Sequence, residues 1–419
     1  FFSSRRRHTR CSRDWEFRRV LFRSAGFFQF IKYGSKPYAK YIDRNIGIFD
    51  EAHRIEDEIT NFIGTQIPKK ILDECKIDIK EMNVEDIDVI LLILDEIVEF
   101  YAKSLREIEQ QEDGLQKSDY TEINSKRESR LKRKASLENN YLKFFNSQNQ
   151  IRSDKKNFLV ITNNYLDEQN KMISIKPIKC SSYAKNFFKN PKQLFMSATI
   201  SKELFCENFG FDRTEVEIVD TPKSPFPLEN RKVEFLNVAP LSKTAPDNEQ
   251  VVFNKIDEIL SINSKVRGLI LTSSKSRCAQ IKKSLSLINQ KRIRICHSND
   301  NELNKTQKKI LDEHSKDPTG VLLSSSLWEG VDLKDDLSRF QIIAKTPYPD
   351  ISDKMTRKRM DLYPNWMNGK TIEKLLQGFG RSIRSEQDKA ITYVLDSNAQ
   401  TLLLKNLNLV PKAFHDLLN

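Results

Sequence analysis

The strongest constraint on this chain is a unit that recurs along it: a short apolar run that stops abruptly at carboxylate or hydroxyl residues. It occurs at Ile46-Gly47-Ile48-Phe49 before Asp50-Glu51 and at Leu194-Phe195-Met196 before Ser197-Ala198-Thr199. It returns at Gly268-Leu269-Ile270-Leu271 before Thr272-Ser273-Ser274, and at Gly320-Val321-Leu322-Leu323 before Ser324-Ser325-Ser326. Apolar runs this short, bounded by polar residues, read as strands covered on both faces, as in a parallel sheet. Ligands of such sheets bind beyond the carboxyl ends of the strands, where these polar residues emerge. Helical patterns lie between the runs at Val251–Leu260, Lys275–Ile288, Asn304–Ser315 and Thr371–Phe379. Further strand patterns occur at Phe158–Thr162, Met172–Ile175, Arg292–Cys296, Phe340–Ala344 and Ala390–Asp396. Alternating strands and helices predict an α/β fold of doubly wound parallel sheets.

Chemistry concentrates at Asp50-Glu51-Ala52-His53. Nucleotide hydrolysis needs one carboxylate for Mg²⁺ and a neighbour that orients and deprotonates the attacking water. Asp50 suits the first role and Glu51 the second, with His53 placed to report the nucleotide state. The competing reading is acidic capping of the helix from Arg54 onward. Ser197 and Thr199, small hydroxyls after a strand, are expected to hydrogen-bond Asp50 or His53.

Between these two strand ends the character changes. Ile87, Ile90, Leu91, Leu94, Ile97, Val98, Tyr101 and Leu105 recur at helical spacing, which predicts a helix burying one face. Arg106–Lys134 is dense in charge and reads as long solvated helix with a mobile middle. The expected insertion is 68–155, splitting a first α/β domain into 25–67 and 156–221. Three prolines in Thr221–Pro227 mark a boundary, after which 222–419 forms a second domain.

Residues 1–24 hold eight arginines and no lysine, without hydrophobic period. They resemble translated sequencing-adapter read-through and are set aside as non-native; a basic arm for nucleic acid is the alternative. That segment's net +6 reduces the formal +12 of the whole chain to +6, so bulk charge is a weak argument for a polyanionic partner. Six cysteines, at 11, 75, 180, 206, 278 and 296, form no CxxC. Neither a disulfide framework nor a zinc or iron–sulfur site is visible, and the pattern suits a reducing cytoplasm. No apolar run has the length of a membrane span.

Seven stretches in order carry a resemblance: IGIFDEAH, LFMSATI, SPFPLENR, GLILTSS, LLSSSLWEGVDLKDD, TPYP and QGFGRSIRSEQDKAITYVLD. With them the chain resembles the XPD/DinG family of superfamily-2 DNA helicases over nearly all of residues 25–419, its last blocks most like archaeal members. The resemblance implies two RecA-like domains with ATP and Mg²⁺ in the cleft, an arch-like insertion, and 5′ to 3′ translocation on single-stranded DNA, with duplex junctions as substrates in repair or replication. It implies roles for Asp50 and Glu51 at Mg²⁺ and water, and for His53, Ser197 and Thr199 in coupling. Glu329, Gly330 and Asp332 would link ATP to DNA, and Gln377, Arg381 and Arg384 would reach the γ-phosphate. A DNA track is expected from Thr272, Ser273, Ser325, Trp328, Lys345 and Tyr348, followed by the basic cluster of Lys354, Arg357, Lys358 and Arg359.

One departure stands out. Such a helicase needs a GxxxxGK[ST] phosphate loop, and Gly369-Lys370-Thr371 lacks the required glycine, having Pro364 in its place. It reads as a turn before a helix. The expectation is a gene fragment whose phosphate loop and [4Fe–4S] ligands lie outside this chain, itself deficient in ATP hydrolysis; the NLVPKAFHDLLN ending suits the family's final helix. A non-catalytic nucleic-acid-binding module and a DEAH-type RNA helicase remain the alternatives.

Overall fold

The computed structural model describes residues 21–22, 45–113, 122–162, 172–188, 192–241, 247–297, 303–333 and 335–418. The chain divides into two compact units. One comprises residues up to Asp50, Arg54–Leu194 and Asn208–Gly210; the other comprises Glu51–His53, Phe195–Glu207 and Phe211–Asn419.

The first unit runs β1 (Leu21–Phe22), β2 (Ile46–Phe49), α1 (Ile55–Ile63), β3 (Thr65–Pro68), α2 (Lys69–Cys75), α3 (Ile87–Asp113), α4 (Glu122–Ser153), β4 (Phe158–Thr162), β5 (Met172–Pro177), α5 (Ser181–Phe187) and β6 (Lys192–Phe195). β1 pairs in parallel with β2, and the sheet order is β1-β2-β6. Leu21 and Phe22 fall within the segment set aside from sequence; the rest of that segment lies outside the described residues. β4 and β5 do not extend this parallel sheet. They form an antiparallel sheet with β3, in the order β3-β5-β4. The physical reason is loop length: residues 163–171 are fewer than the dozen or so that a parallel crossover needs.

The long helices α3 and α4 pack along one another. Ile90, Leu91, Leu94, Ile97 and Tyr101 are buried on α3, as their spacing predicts, and Leu137, Phe144 and Ile151 are buried on α4. Tyr101 and Phe144 stack with ring planes 3° apart. The expected mobile middle of this segment, residues 114–121, lies outside the described residues.

The second unit runs α6 (Lys202–Phe209, of which Lys202–Glu207 belong here), β7 (Val233–Ala239), α7 (Asp247–Ile262), β8 (Gly268–Leu271), α8 (Lys275–Ser284), α9 (Leu287–Arg292), β9 (Ile293–Ile295), α10 (Leu303–Lys316), β10 (Val321–Ser324), β11 (Phe340–Ile343), α11 (Lys354–Leu362), α12 (Trp366–Phe379), β12 (Ile391–Asp396) and α13 (Ser397–Lys405). Its six strands are all parallel, in the order β7-β12-β11-β8-β10-β9. Side chains alternate between the faces with period two. Leu269, Leu271, Leu322, Ile343 and Val394 point into a core closed by α12 and α13. Ile270, Val321, Leu323, Phe340, Ile342 and Leu395 point into a core closed by α7 and α8. Helices therefore cover both faces, which is why these strands read as unbroken apolar runs. Gly268 is required at the start of β8, because a Cβ there would lie 2.3 Å from the Phe340 ring.

Two local expectations are corrected. Gly369-Lys370-Thr371 is not a turn but lies inside α12, with the Thr371 hydroxyl donating to the Met367 carbonyl at 2.7 Å. Gly369 is small because Leu204 packs on it; a Cβ would come within 2.1 Å of that side chain. The chain ending also folds as short 3-10 turns, Leu407–Leu409 and Lys412–Leu417, rather than as a final α-helix.

Candidate functional site

Beyond β2, Glu51 adopts φ 52°, a left-handed backbone unusual for a residue with a Cβ. Such conformations cost about 1–3 kcal/mol and collect at functional sites. Here the reversal lets the Ala52 amide donate to the Met196 carbonyl at 2.9 Å. It also brings His53 beside the hydroxyl segment: His53 Nδ1 lies 3.0 Å from Ser197 Oγ and 3.4 Å from Glu51 Oε2. Ser197 Oγ accepts from the Thr199 amide at 3.2 Å, and the two hydroxyls are 3.4 Å apart. His53, Ser197 and Thr199 are thus brought together across 144 residues of sequence. Asp50, half-buried at the end of β2, belongs to the first unit.

The other side of this cluster comes from the segment after β10 and from α12. His53 Nε2 is 4.0 Å from Glu329 Oε2. Gly330 takes φ 83°, the freedom a glycine supplies at this turn. Arg381 donates from Nε to the Gln377 carbonyl at 3.2 Å and from Nη1 to the Val331 carbonyl at 3.1 Å. Arg384 Nε lies 3.0 Å from Asp332 Oδ1, an ion pair without hydrogen-bond geometry at that nitrogen. Burial pulls the Arg381 guanidinium down to about 10; Arg384 adds to the shift, while Glu329, Glu51 and Asp332 oppose it. It remains a cation at neutral pH. Both amide atoms of Gln377 are buried without a hydrogen-bond partner among the described residues, the state of a polar group that a ligand satisfies.

Four residues around this cluster escaped the sequence reading. The Lys370 ammonium donates to the His53 carbonyl at 3.4 Å and pairs with Glu373 at 3.3 Å. Lys374, one turn on, sits 5.8 Å over the Trp328 ring, and its pKa is lowered by burial and held up by Glu329. Asp388, fully buried, accepts from the Arg384 amide at 2.9 Å and the Asp335 amide at 2.8 Å. Gln341, buried in β11, donates to the Phe379 carbonyl at 3.3 Å and to Thr392 Oγ1 at 2.5 Å, and accepts from Ser382 Oγ at 3.2 Å. These last two clamp the segment that carries Arg381 and Arg384. The lysines at helical spacing before Gln377 were a legible signal; a glutamine inside an apolar strand was a weaker one.

The expected DNA-track residues divide. Ser273 and Arg357 are exposed, Tyr348 is 37% exposed, and Ser325, Lys345 and Lys354 are half-buried. Three are corrected. Trp328 is only 1% exposed, packs in the core against Gly378, and donates its indole N–H to the Thr272 carbonyl at 3.2 Å, so no base can stack on it. Thr272 is fully buried. Arg359 is 4% exposed, its guanidinium 5.5 Å over the Trp366 ring, because it shares the inward face of α11 with Met355 and Thr356. The loop of Lys345 and Tyr348 is anchored by Asp396, whose buried carboxylate accepts from the amides of Thr346 at 2.9 Å, Asn398 at 3.1 Å and Leu241 at 3.3 Å.

Among the described residues no group of three or more His, Cys, Asp or Glu side chains is arranged to hold a metal ion, and no helix is long and apolar enough to cross a membrane.

Comparison with known proteins gives the following. The chain is similar to S. tokodaii Xpd4 over 90% of its own length and 78% of that chain, at 15% identity and TM-score 0.49. It is similar to S. cerevisiae Dbp5 bound to RNA and ADP BeF3 over 54% of this chain and 53% of that one, at 13% identity and TM-score 0.35. It is also similar to the DUF1998 helicase MrfA bound to DNA and AMPPNP, over 55% and 30% respectively, at 16% identity and TM-score 0.29. No curated protein matches the chain. Residues 257–410 match the family model described as the helicase C-terminal domain.

Proposed function

We propose that the chain belongs to an ATP-dependent DNA helicase of the XPD/DinG type, which couples ATP hydrolysis to 5′ to 3′ movement along single-stranded DNA in repair or replication. The observation that carries this is the convergence of His53, Ser197, Glu329 and Arg381 in one polar cluster. A histidine whose two ring nitrogens face a hydroxyl and a carboxylate from distant segments is suited to transmit a change at Glu51 to the strand ends that meet DNA.

The residues present fit a nucleotide. Gln377 offers an unused buried amide, and Arg381 and Arg384 are two guanidinium groups held by backbone carbonyls. Bound with Mg²⁺, ATP would supply the transferable phosphoryl group; Asp50 is the residue assigned to the metal, since Mg²⁺ needs only one or two protein carboxylates. Glu51 would orient the attacking water and accept its proton. Arg381 and Arg384 would stabilise charge on the γ-phosphoryl oxygens, and the neutral Gln377 amide would position the same group. Ser273, Ser325, Lys345, Tyr348, Lys354 and Arg357 would contact the DNA backbone and bases.

The chain holds no GxxxxGK[ST] element, so little ATP turnover is expected from it alone, and robust turnover would mean a phosphate site other than the one assigned. Binding tests the reading directly. The chain should bind a single-stranded DNA oligonucleotide more tightly than RNA of the same sequence, in a fluorescence-anisotropy competition. Preference for RNA would transfer the assignment to the DEAH-type RNA helicases. The same missing element favours, as a second reading for this chain on its own, a nucleic-acid-binding module without catalysis.

A further inference from the structure

We infer that Lys374 is a third phosphate-binding cation of the candidate site, taking an oxygen of the same phosphoryl group assigned to Arg381 and Arg384. The inference rests on the functional reading above and adds a residue to it.

Lys374 and Gln377 stand one turn apart on α12, on one face of the helix. Arg381 follows just beyond the helix end, turned back so that its guanidinium meets the Gln377 carbonyl at 3.2 Å. The Lys374 ammonium lies 5.8 Å over the Trp328 ring, beside the residue that carries the Glu329 carboxylate. Glu329 acts electrostatically on Lys374 and on Arg381 alike, and its Oε2 is 4.0 Å from His53 Nε2.

The other cations of the cluster are engaged within the protein. Lys370 pairs with Glu373 at 3.3 Å, Arg384 Nε lies 3.0 Å from Asp332 Oδ1, and Arg381 donates to two backbone carbonyls. Lys374 is different: among the described residues it makes neither an ion pair nor a hydrogen bond. Burial lowers its pKa below the ordinary lysine value, against the pull of Glu329. At neutral pH the folded and unfolded chains both carry this proton, and the folded chain holds it less tightly. The charge therefore costs the fold stability. A half-buried cation kept at a cost, near an amide whose two polar atoms have no partner, is an arrangement that an anion completes.

A terminal phosphoryl group presents three oxygens, which two guanidinium groups and one ammonium can meet separately. The competing explanation is that Lys374 only covers Trp328, its stem lying on apolar surface while its head reaches water. That role needs the stem and not the charge, so the two can be separated.

The full chain is titrated calorimetrically with inorganic tripolyphosphate as wild type, Lys374→Met, Lys374→Arg, Arg381→Ala/Arg384→Ala and Lys265→Met, the last an exposed lysine after α7. Melting temperature is measured for each. Lys374→Met keeps an unbranched stem over Trp328 without the charge, so it should melt no lower than wild type. It should bind tripolyphosphate roughly tenfold more weakly, Lys374→Arg should restore most of the affinity, and Lys265→Met should change nothing. In fluorotryptophan-labelled chain, Trp15→Phe and Trp366→Phe identify the Trp328 fluorine resonance by elimination. It should shift with tripolyphosphate in wild type, as the ammonium leaves the ring, and stay in place in Lys374→Met. Affinity unchanged in Lys374→Met but weakened in Arg381→Ala/Arg384→Ala would reduce Lys374 to a cover for Trp328. That would overturn the inference and leave the functional reading standing. Unchanged affinity in the arginine variant as well, or no binding by wild type, would overturn both. Equal weakening in Lys374→Met and Lys265→Met would mean attraction to net charge and overturn the inference alone.

Discussion

The central strand of the parallel sheet in the second unit and that of the antiparallel sheet in the first are both apolar, yet they are buried differently. All four residues of β8 are buried, with strands on either side and helices over both faces. β5 has three consecutive buried residues flanked by partly exposed ones, in a sheet of three strands. A strand enclosed on every side leaves its neighbours little room to relax, whereas one with an edge a single strand away does not. The larger sheet can therefore hold polar groups rigidly at its strand ends, and the segment after β10 that carries Glu329 is one of them.

Ile270→Ala in β8 and Ile175→Ala in β5 set the comparison against measurement. Both side chains are fully buried, and Ile→Ala costs about 2–5 kcal/mol depending on how far the cavity collapses. Ile270→Ala should fall near the top of that range and Ile175→Ala near the bottom, by urea denaturation with hydrogen exchange to locate each loss. Equal costs would break the comparison.

A smaller effect is expected from Gln341→Leu. It leaves the Phe379 carbonyl and the Ser382 and Thr392 hydroxyls short of a partner in a buried place, which costs about 1–3 kcal/mol. If Gln341 clamps the arginine segment, amide exchange should rise at Ser382–Arg384 more than in β8. A uniform rise along the sheet would reduce Gln341 to an ordinary core residue.

The smallest effect concerns pH. His314 is buried, its Nε2 2.8 Å from the Leu337 carbonyl. Burial lowers its pKa below the ordinary 6.5; Arg267 and Arg294 act in the same direction, against the Leu337 hydrogen bond and Asp317. The unfolded chain therefore takes up this proton first as pH falls. Stability is full above about 6.5 and is lost as pH drops from there towards the folded pKa. Melting temperature should decline over that interval in wild type and less in His314→Gln. An identical decline in both would remove His314 as a source.

Much of the fold was legible because the strands of the second unit are unbroken apolar runs that stop at polar residues, and the segments between them keep a helical period. The strand ends bearing Thr272 and Ser325, and the frame of Gln377, Arg381 and Arg384, could be read without coordinates. The antiparallel pairing of Phe158–Thr162 with Met172–Pro177 was less legible, since an apolar run does not state the direction of its neighbour.

The sequence by itself determined where chain segments are apolar, where they stop, and which polar residues stand at each stop. Those properties are local: a residue's transfer free energy and its spacing from the next apolar residue are set along the chain. Tertiary structure decided which of those polar residues face one another and which turn inward. It put Glu51 in a left-handed conformation so that His53 meets Ser197, folded Trp328 onto Gly378, and drew Arg359 over Trp366. Each outcome depends on a neighbour distant in sequence. Only packing, which places that neighbour within a few ångströms, determines whether a charge or an aromatic ring is spent inside the protein or left for a ligand.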